Sequence, residues 1–195
     1  MLLRRSIPVF LVALALSPSA FARGGTYAFD GGTRAEQGQV KAALDASTFD
    51  FSVVRAVVTV HIGRGLSSSA APGQVWLDAD LLDAGRLSWG VVQHEYGHQV
   101  DFSLLTDADR AQLQQLLGGS AWCSGAPHGE LTCERFADLI SWAYWTNSDN
   151  VLRPAGKADE GGEVSPAAFR AALTRLLPSP IRVMAVTQQR GSMRG

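Results

Sequence analysis

The sequence predicts an α+β fold in one domain. Two stretches, "FSVVRAVVTVHI" at 51–62 and "QVWLDADLL" at 74–82, carry the β-branched and alternating apolar residues of strands. Around and after them run segments with helical spacing or cap residues, at 33–46, 87–105, 106–119, 133–145 and from 165 onward. The 195 residues are enough for a single hydrophobic core.

The first residues read as an export signal. Met1 to Arg5 is short and basic, Ile7 to Leu16 is apolar, and Ala20-Phe21-Ala22 is an A-x-A cleavage site. The apolar run is too short to cross a bilayer. Residues 1–22 are therefore expected to be removed before Arg23. Loss of Arg4 and Arg5 would leave 15 basic against 18 acidic side chains, a net charge of −3. With no basic patch, nucleic acid is not an expected partner. No later run is long enough to span a membrane.

One domain is expected over 23–180. Residues 23–32 are Gly-rich and expected to be loose. Thr33 and Glu36 have the spacing of a capping box that opens a helix through Ala46. The strand at 51–62 is followed by loop composition at 63–73. In the second strand, Val75 and Leu77 point one way, Trp76 and Asp78 the other. Leu87, Val91, Tyr96, Val100 and Leu104 line one side of the helix at 87–105. Thr106 caps the next helix and Gly118 ends it. Residues 146–164 read as a long surface loop. Ser165 caps a last helix with Pro166 in its first position. Residues 181–195 are expected to be a disordered tail. Trp122, Trp142 and Trp145 are assigned to the core or to the wall of a cleft.

Cys123 and Cys133 are the two cysteines. In an exported chain an even pair at short spacing reads as a disulfide. Closing so short a loop stabilises a fold by roughly 2–3 kcal/mol in the chain-entropy model. A metal site is a poorer fit, because there is no CxxC.

The chemistry concentrates in "GVVQHEYGHQVDF", 90–102. His94 and His98 lie one helical turn apart, so both rings project from one face and can reach one ion. Zinc suits neutral imidazole, and a catalytic zinc takes three protein ligands and leaves a position for water. Glu95 lies about 100° around the helix from His94. That sets its carboxylate beside the metal, where it can take a proton from water and hand it to a leaving amine. Gly97 removes a side chain where another element can pack close. A helix that merely carries two solvent-facing histidines is the competing reading, and a third ligand separates the two. "ERFAD", 134–138, offers Glu134 as that ligand and, one turn on, Asp138 to accept the other ring N–H of a ligand histidine. His128 is the rival third ligand, and His61 is read as a surface or core histidine. Asp101 is either a further acid supporting the ligands or a helix-surface aspartate.

"HEYGH" followed by "ERFAD" resembles the gluzincin zinc peptidases, whose pattern is HExxH with a downstream ExxxD. The order of elements over 51–145 is similar to that of their compact single-domain members. The resemblance implies a zincin-like fold, with a small mixed sheet, an edge strand beside the HExxH helix, and a following Glu-bearing helix. It implies one zinc ion held by His94, His98 and Glu134, Glu95 as the base, and Asp138 behind a ligand. It implies cleavage of peptide bonds in a protein or peptide substrate, more as an endopeptidase than an exopeptidase. Such enzymes place a Tyr or His donor across the cleft for the oxyanion, and His128 and Tyr144 are the candidates. Substrate backbone is expected along the strand at 74–78.

There are departures. The gap of 36 residues from His98 to Glu134 exceeds that of thermolysin-like members and contains both cysteines. No large C-terminal lobe follows, and the metzincin Gly-x-x-His continuation is absent. Two other readings stand beside the peptidase. One is a catalytically silent zinc-bound domain that recognises a partner at the cell surface. The other is a zinc hydrolase of a non-peptide amide.

Overall fold

The structure, a computed structural model, describes residues 24–156, 162 and 164–177. The expected signal, the expected tail and part of the loop at 146–164 lie outside the described residues. The rest is mixed α+β, as the sequence predicts. Four strands, β1 (Tyr27–Gly31), β2 (Val58–Gly63), β3 (Ser69–Ala71) and β4 (Gln74–Asp78), form one sheet in the order β1-β2-β4-β3. β1, β2 and β4 run parallel, and β3 runs antiparallel to β4. Val58, Val60, Ile62, Val75 and Leu77 are buried on one face. On the other, the rings of His61 and Trp76 stack with centroids 5.1 Å apart.

Three expectations about the sheet are corrected. The Gly-rich 23–32 contains β1, whose Tyr27 and Phe29 pack on the core. Gly31 ends that strand with φ 81°, and a Cβ there would lie 2.5 Å from the Ile62 carbonyl oxygen. The glycine thus marks close pairing with β2 rather than looseness. Only 58–62 of the first predicted strand is extended, within β2. Its start, 51–53, is a 3₁₀ turn in which the Asp50 side chain accepts from Ser52 N, and buried Phe51 packs edge-on against Tyr96. Finally, 74–78 is an interior strand. The edge is β3, inside the segment read as loop, so a substrate strand along 74–78 has no edge to join. Pro72 and Gly73 (φ 75°) turn β3 back onto β4. The Ser/Ala composition of β3 gives it no strand signal of its own.

The helices are α1 (Arg34–Ala46), α2 (Ala79–Leu82), α3 (Trp89–Leu104), α4 (Asp107–Leu117), α5 (Thr132–Tyr144) and α6 (Pro166–Leu176). The starts of α1, α4 and α6 follow the cap residues, while α3 and α5 begin without a side-chain cap. Thr33 and Glu36 form the capping box, Thr106 accepts from Asp109 N, and Ser165 accepts from Ala168 N ahead of Pro166. Gly118 ends α4 with φ 73°. Leu87 does not join the apolar side of α3. It is exposed in a 3₁₀ turn, 85–88, that is closed by Ser88 Oγ donating to Gly85 O.

α3 is the central element, buried at every position from Val92 to Asp101 between sheet and helices. This explains why it carries so little amphipathic pattern, since a helix covered on all sides needs no polar face. It packs on α5 across Gly97, where a Cβ would come within 3.2 Å of Ile140 Cβ and 3.4 Å of Ala137 Cα. Deep in the core, Phe51, Phe136, Phe169, Leu77 and Leu173 are almost fully enclosed. Each such burial contributes about 1.5–3 kcal/mol. The loop after α5 is anchored by buried Asn150, whose Nδ2 donates to Ser141 Oγ and to Trp145 O, both at 3.1 Å. Among the described residues no helix is long and apolar enough to cross a membrane.

Candidate metal centre

α3 carries His94, Glu95 and His98, and α5 carries Glu134 and Asp138. The close approach at Gly97 brings the two sets together. His94 Nε2 lies 3.2 Å from His98 Nε2 and 3.2 Å from Glu134 Oε2, and His98 Nε2 lies 3.4 Å from Glu134 Oε2. Donors about 2.1 Å from one tetrahedral ion sit about 3.4 Å from each other. The triangle therefore has the dimensions of one face of a metal coordination tetrahedron.

Two wider groupings also have donor atoms within 4.8 Å of one another and can hold a metal ion: His94, Glu95 and His98, and His98, Cys133 and Glu134. In the second, Cys133 sulfur is bonded to Cys123. The tighter triangle of His94, His98 and Glu134 is the better fit, and it leaves Glu95 beside the donors.

His94 Nδ1 donates to Asp138 Oδ1 at 2.7 Å, which turns Nε2 toward Glu134 and His98. Burial by itself would lower the His94 pKa. The hydrogen bonds to Asp138 and Glu134 outweigh it, and the imidazole is pushed up to about 10. Burial likewise opposes ionisation of Glu134, but the His94 and His98 rings beside it hold its carboxyl well below the usual range. Glu95 lacks such close compensation, and burial pushes its carboxyl up. A buried carboxylate with raised proton affinity is suited to proton transfer.

These groups open into a cleft lined by His94, Glu95, His98, Phe102, Glu134, Cys123, His128 and the β3 side, Ser67 to Ala70. The β3 wall is a part of the site that sequence reasoning missed, and Pro72-Gly73 was the signal for its hairpin. Gln99 was missed too. Its buried amide accepts from Gly73 N at 2.8 Å and donates to Ala71 O at 2.9 Å and Gln74 O at 3.0 Å. It thereby ties the hairpin to the helix that bears the histidines.

His128 sits on the cleft rim in a 3₁₀ turn, 128–130, with Nε2 3.1 Å from Glu134 Oε2. Tyr144 is elsewhere, at the end of α5 with its ring 5.0 Å from that of Phe49, and it does not line the cleft. His61 is on the outer sheet face between Asp30 and Gln74. Asp101 is neither a surface residue nor a partner of the histidines. It is buried and accepts from Arg110 Nε at 2.8 Å and Trp122 Nε1 at 2.9 Å, joining α4 and the cysteine segment to α3. Trp122 tilts against Phe136, Trp145 against Trp89, and Trp142 lies under Arg153, so none of the three lines the cleft. The Cys123–Cys133 disulfide is formed, with Cα atoms 5.4 Å apart, and encloses the segment that carries His128.

Compared with protein-family models, curated proteins and solved structures, the chain matches none of them. The fold and site define an α+β chain with a buried His/Glu group that can hold a metal ion.

Proposed function

We propose that this chain is an exported, zinc-dependent metallopeptidase of the gluzincin type, with a zincin-like fold. The observation that carries the reading is the triangle of His94 Nε2, His98 Nε2 and Glu134 Oε2, with edges of 3.2, 3.2 and 3.4 Å, beside Glu95 in one cleft. Two imidazoles and one carboxylate are the donor set of a catalytic zinc, and a purely structural zinc site uses four protein ligands. The disulfide favours an oxidising compartment, consistent with export.

His94, His98 and Glu134 would hold the ion, and Asp138 orients His94. When bound, zinc supplies Lewis acidity toward a carbonyl and lowers the pKa of water. Glu95 accepts a proton from the attacking water and then returns it to the leaving nitrogen. His128, on the rim, would donate to an oxyanion; Tyr144 does not line the cleft and has no part in this reading. Substrate backbone would lie along β3, the edge strand that lines the cleft.

Glu95→Gln tests this reading. The variant should retain one zinc and lose hydrolysis of unfolded protein by a factor of about 10²–10⁴. Equal turnover by wild type and variant, both zinc-loaded, would refute the role of Glu95. A wild type that cleaves nothing in a broad peptide library would favour the silent binding domain.

A further inference from the structure

Cys133 occupies a place that a structural disulfide alone does not require. It directly precedes Glu134 on α5, and its sulfur lies 3.7 Å from Glu134 Oε1. Donor atoms of His98, Cys133 and Glu134 all lie within 4.8 Å of one another. Cys133 is buried at 1 % exposure, while Cys123 is exposed and lines the same cleft. One cysteine of the bridge is therefore exposed at the cleft, and the sulfur of the other lies against Glu134.

We propose that reduction of the Cys123–Cys133 bridge delivers the Cys133 thiolate to the metal as a fourth protein ligand, so that the disulfide keeps the centre open to water and its loss closes it. The inference rests on the metal-site reading above, but not on any peptidase activity.

The chemistry follows from the exposure. A thiolate of a dithiol reductant attacks the accessible Cys123 sulfur. The S–S bond breaks, its electron pair leaves on Cys133, and a mixed disulfide forms at Cys123. The second thiol of the reductant resolves that mixed disulfide, leaving Cys123 as a thiol and the reductant as a cyclic disulfide. Sulfur and imidazole nitrogen on one tetrahedral zinc are about 3.6 Å apart, from bonds of about 2.3 and 2.1 Å. The Cys133 and His98 donors already lie within 4.8 Å of each other, so a shift on the order of 1 Å brings this pair to that spacing once the S–S bond that restrains the sulfur is gone. Charge favours the same outcome. A divalent ion with Glu134 as its one anionic ligand keeps a net positive charge in a buried site, and a thiolate neutralises it. A centre with four protein ligands has the composition of a structural zinc site. A chain that took up metal in a reducing compartment would carry a centre closed by four protein ligands, and oxidation after export would reopen it to water.

Cobalt(II) substitution reads the ligand directly, because a thiolate on cobalt gives an intense near-ultraviolet charge-transfer band that imidazole and carboxylate do not. The full chain is loaded with cobalt in the oxidised form. A second sample is reduced with a dithiol, freed of it under anaerobic conditions, and then loaded. The oxidised sample should bind cobalt without the band, and the reduced sample should show the band at one thiolate per cobalt. Cys123→Ser should show it with no reductant, and reduced Cys133→Ser should lack it. If Cys123→Ser does not fold, reduced wild type against reduced Cys133→Ser decides the matter. Cobalt binding in both redox states with no band in the reduced sample overturns the proposal and leaves the metal site standing. A band that persists in reduced Cys133→Ser also overturns it, because the sulfur would then be that of Cys123. Failure to bind cobalt or zinc in either redox state overturns both readings.

Discussion

Asp138 Oδ1 accepts from His94 Nδ1 at 2.7 Å across the junction of two helices, and Glu134 of the same helix lies 3.2 Å from the other nitrogen of that ring. One turn of α5 thus grips both ends of one imidazole. Removing the acid at Nδ1 frees the ring to rotate and lowers its basicity as a ligand. Asp138→Ala is expected to weaken zinc affinity by roughly 10–100-fold. Competition with a chromophoric chelator measures this, and an unchanged dissociation constant would return Asp138 to a purely structural role.

The same grip sets a pH dependence. In the metal-free protein the folded-state pKa of His94 is raised from its ordinary 6.5 to about 10. A raised pKa stabilises the fold fully below the unfolded value, and that contribution is lost as pH rises through the folded value. Metal-free protein should therefore lose stability between these limits, and Asp138→Asn should lose less. Metal binding must displace the His94 proton, so zinc affinity should rise about tenfold per pH unit over the same range. Chelator competition at several pH values, beside thermal unfolding of the metal-free form, checks both slopes.

Glu134 and His128 are 3.1 Å apart at the site, so their roles need separating by experiment. Glu134 is half-enclosed and meets both His94 and His98, while His128 is on the rim. Glu134→Ala should lose stoichiometric zinc, and His128→Ala should keep it. Inductively coupled plasma analysis of both dialysed variants decides the matter. Loss of metal only in His128→Ala would reverse the assignment.

Gly97 holds α3 and α5 at the spacing that builds the site. A Cβ would lie 3.2 Å from Ile140 Cβ, a contact that small shifts can relieve. Gly97→Ala should therefore be tolerated better than Gly97→Val, which must push the helices apart and should cost about 1–3 kcal/mol. Because Glu134 moves with α5, the valine variant should lose zinc affinity along with melting temperature. Wild-type values of both in Gly97→Val would show that the spacing is not set there.

The sequence by itself determined the local features. Thr33, Thr106 and Ser165 fixed helix starts because a cap is satisfied within three residues. The one-turn spacing of His94 and His98, and of Glu134 and Asp138, fixed which side chains share a face, because helical geometry is local. The tertiary structure decided what depended on distant partners. β1 and β3 have weak strand signals, Gly-rich in one case and Ser/Ala in the other, and they exist because β2 and β4 offer them backbone donors and acceptors. Asp101 could not be placed from its spacing to His98, because its partners, Arg110 and Trp122, belong to other segments. Tyr144 left the cleft for the same reason, since its ring is claimed by Phe49, 95 positions earlier in the chain. That the disulfide joins a cysteine packed against Glu134 to an exposed one is likewise a matter of packing, because spacing along a chain gives a bond its partners but not its surroundings.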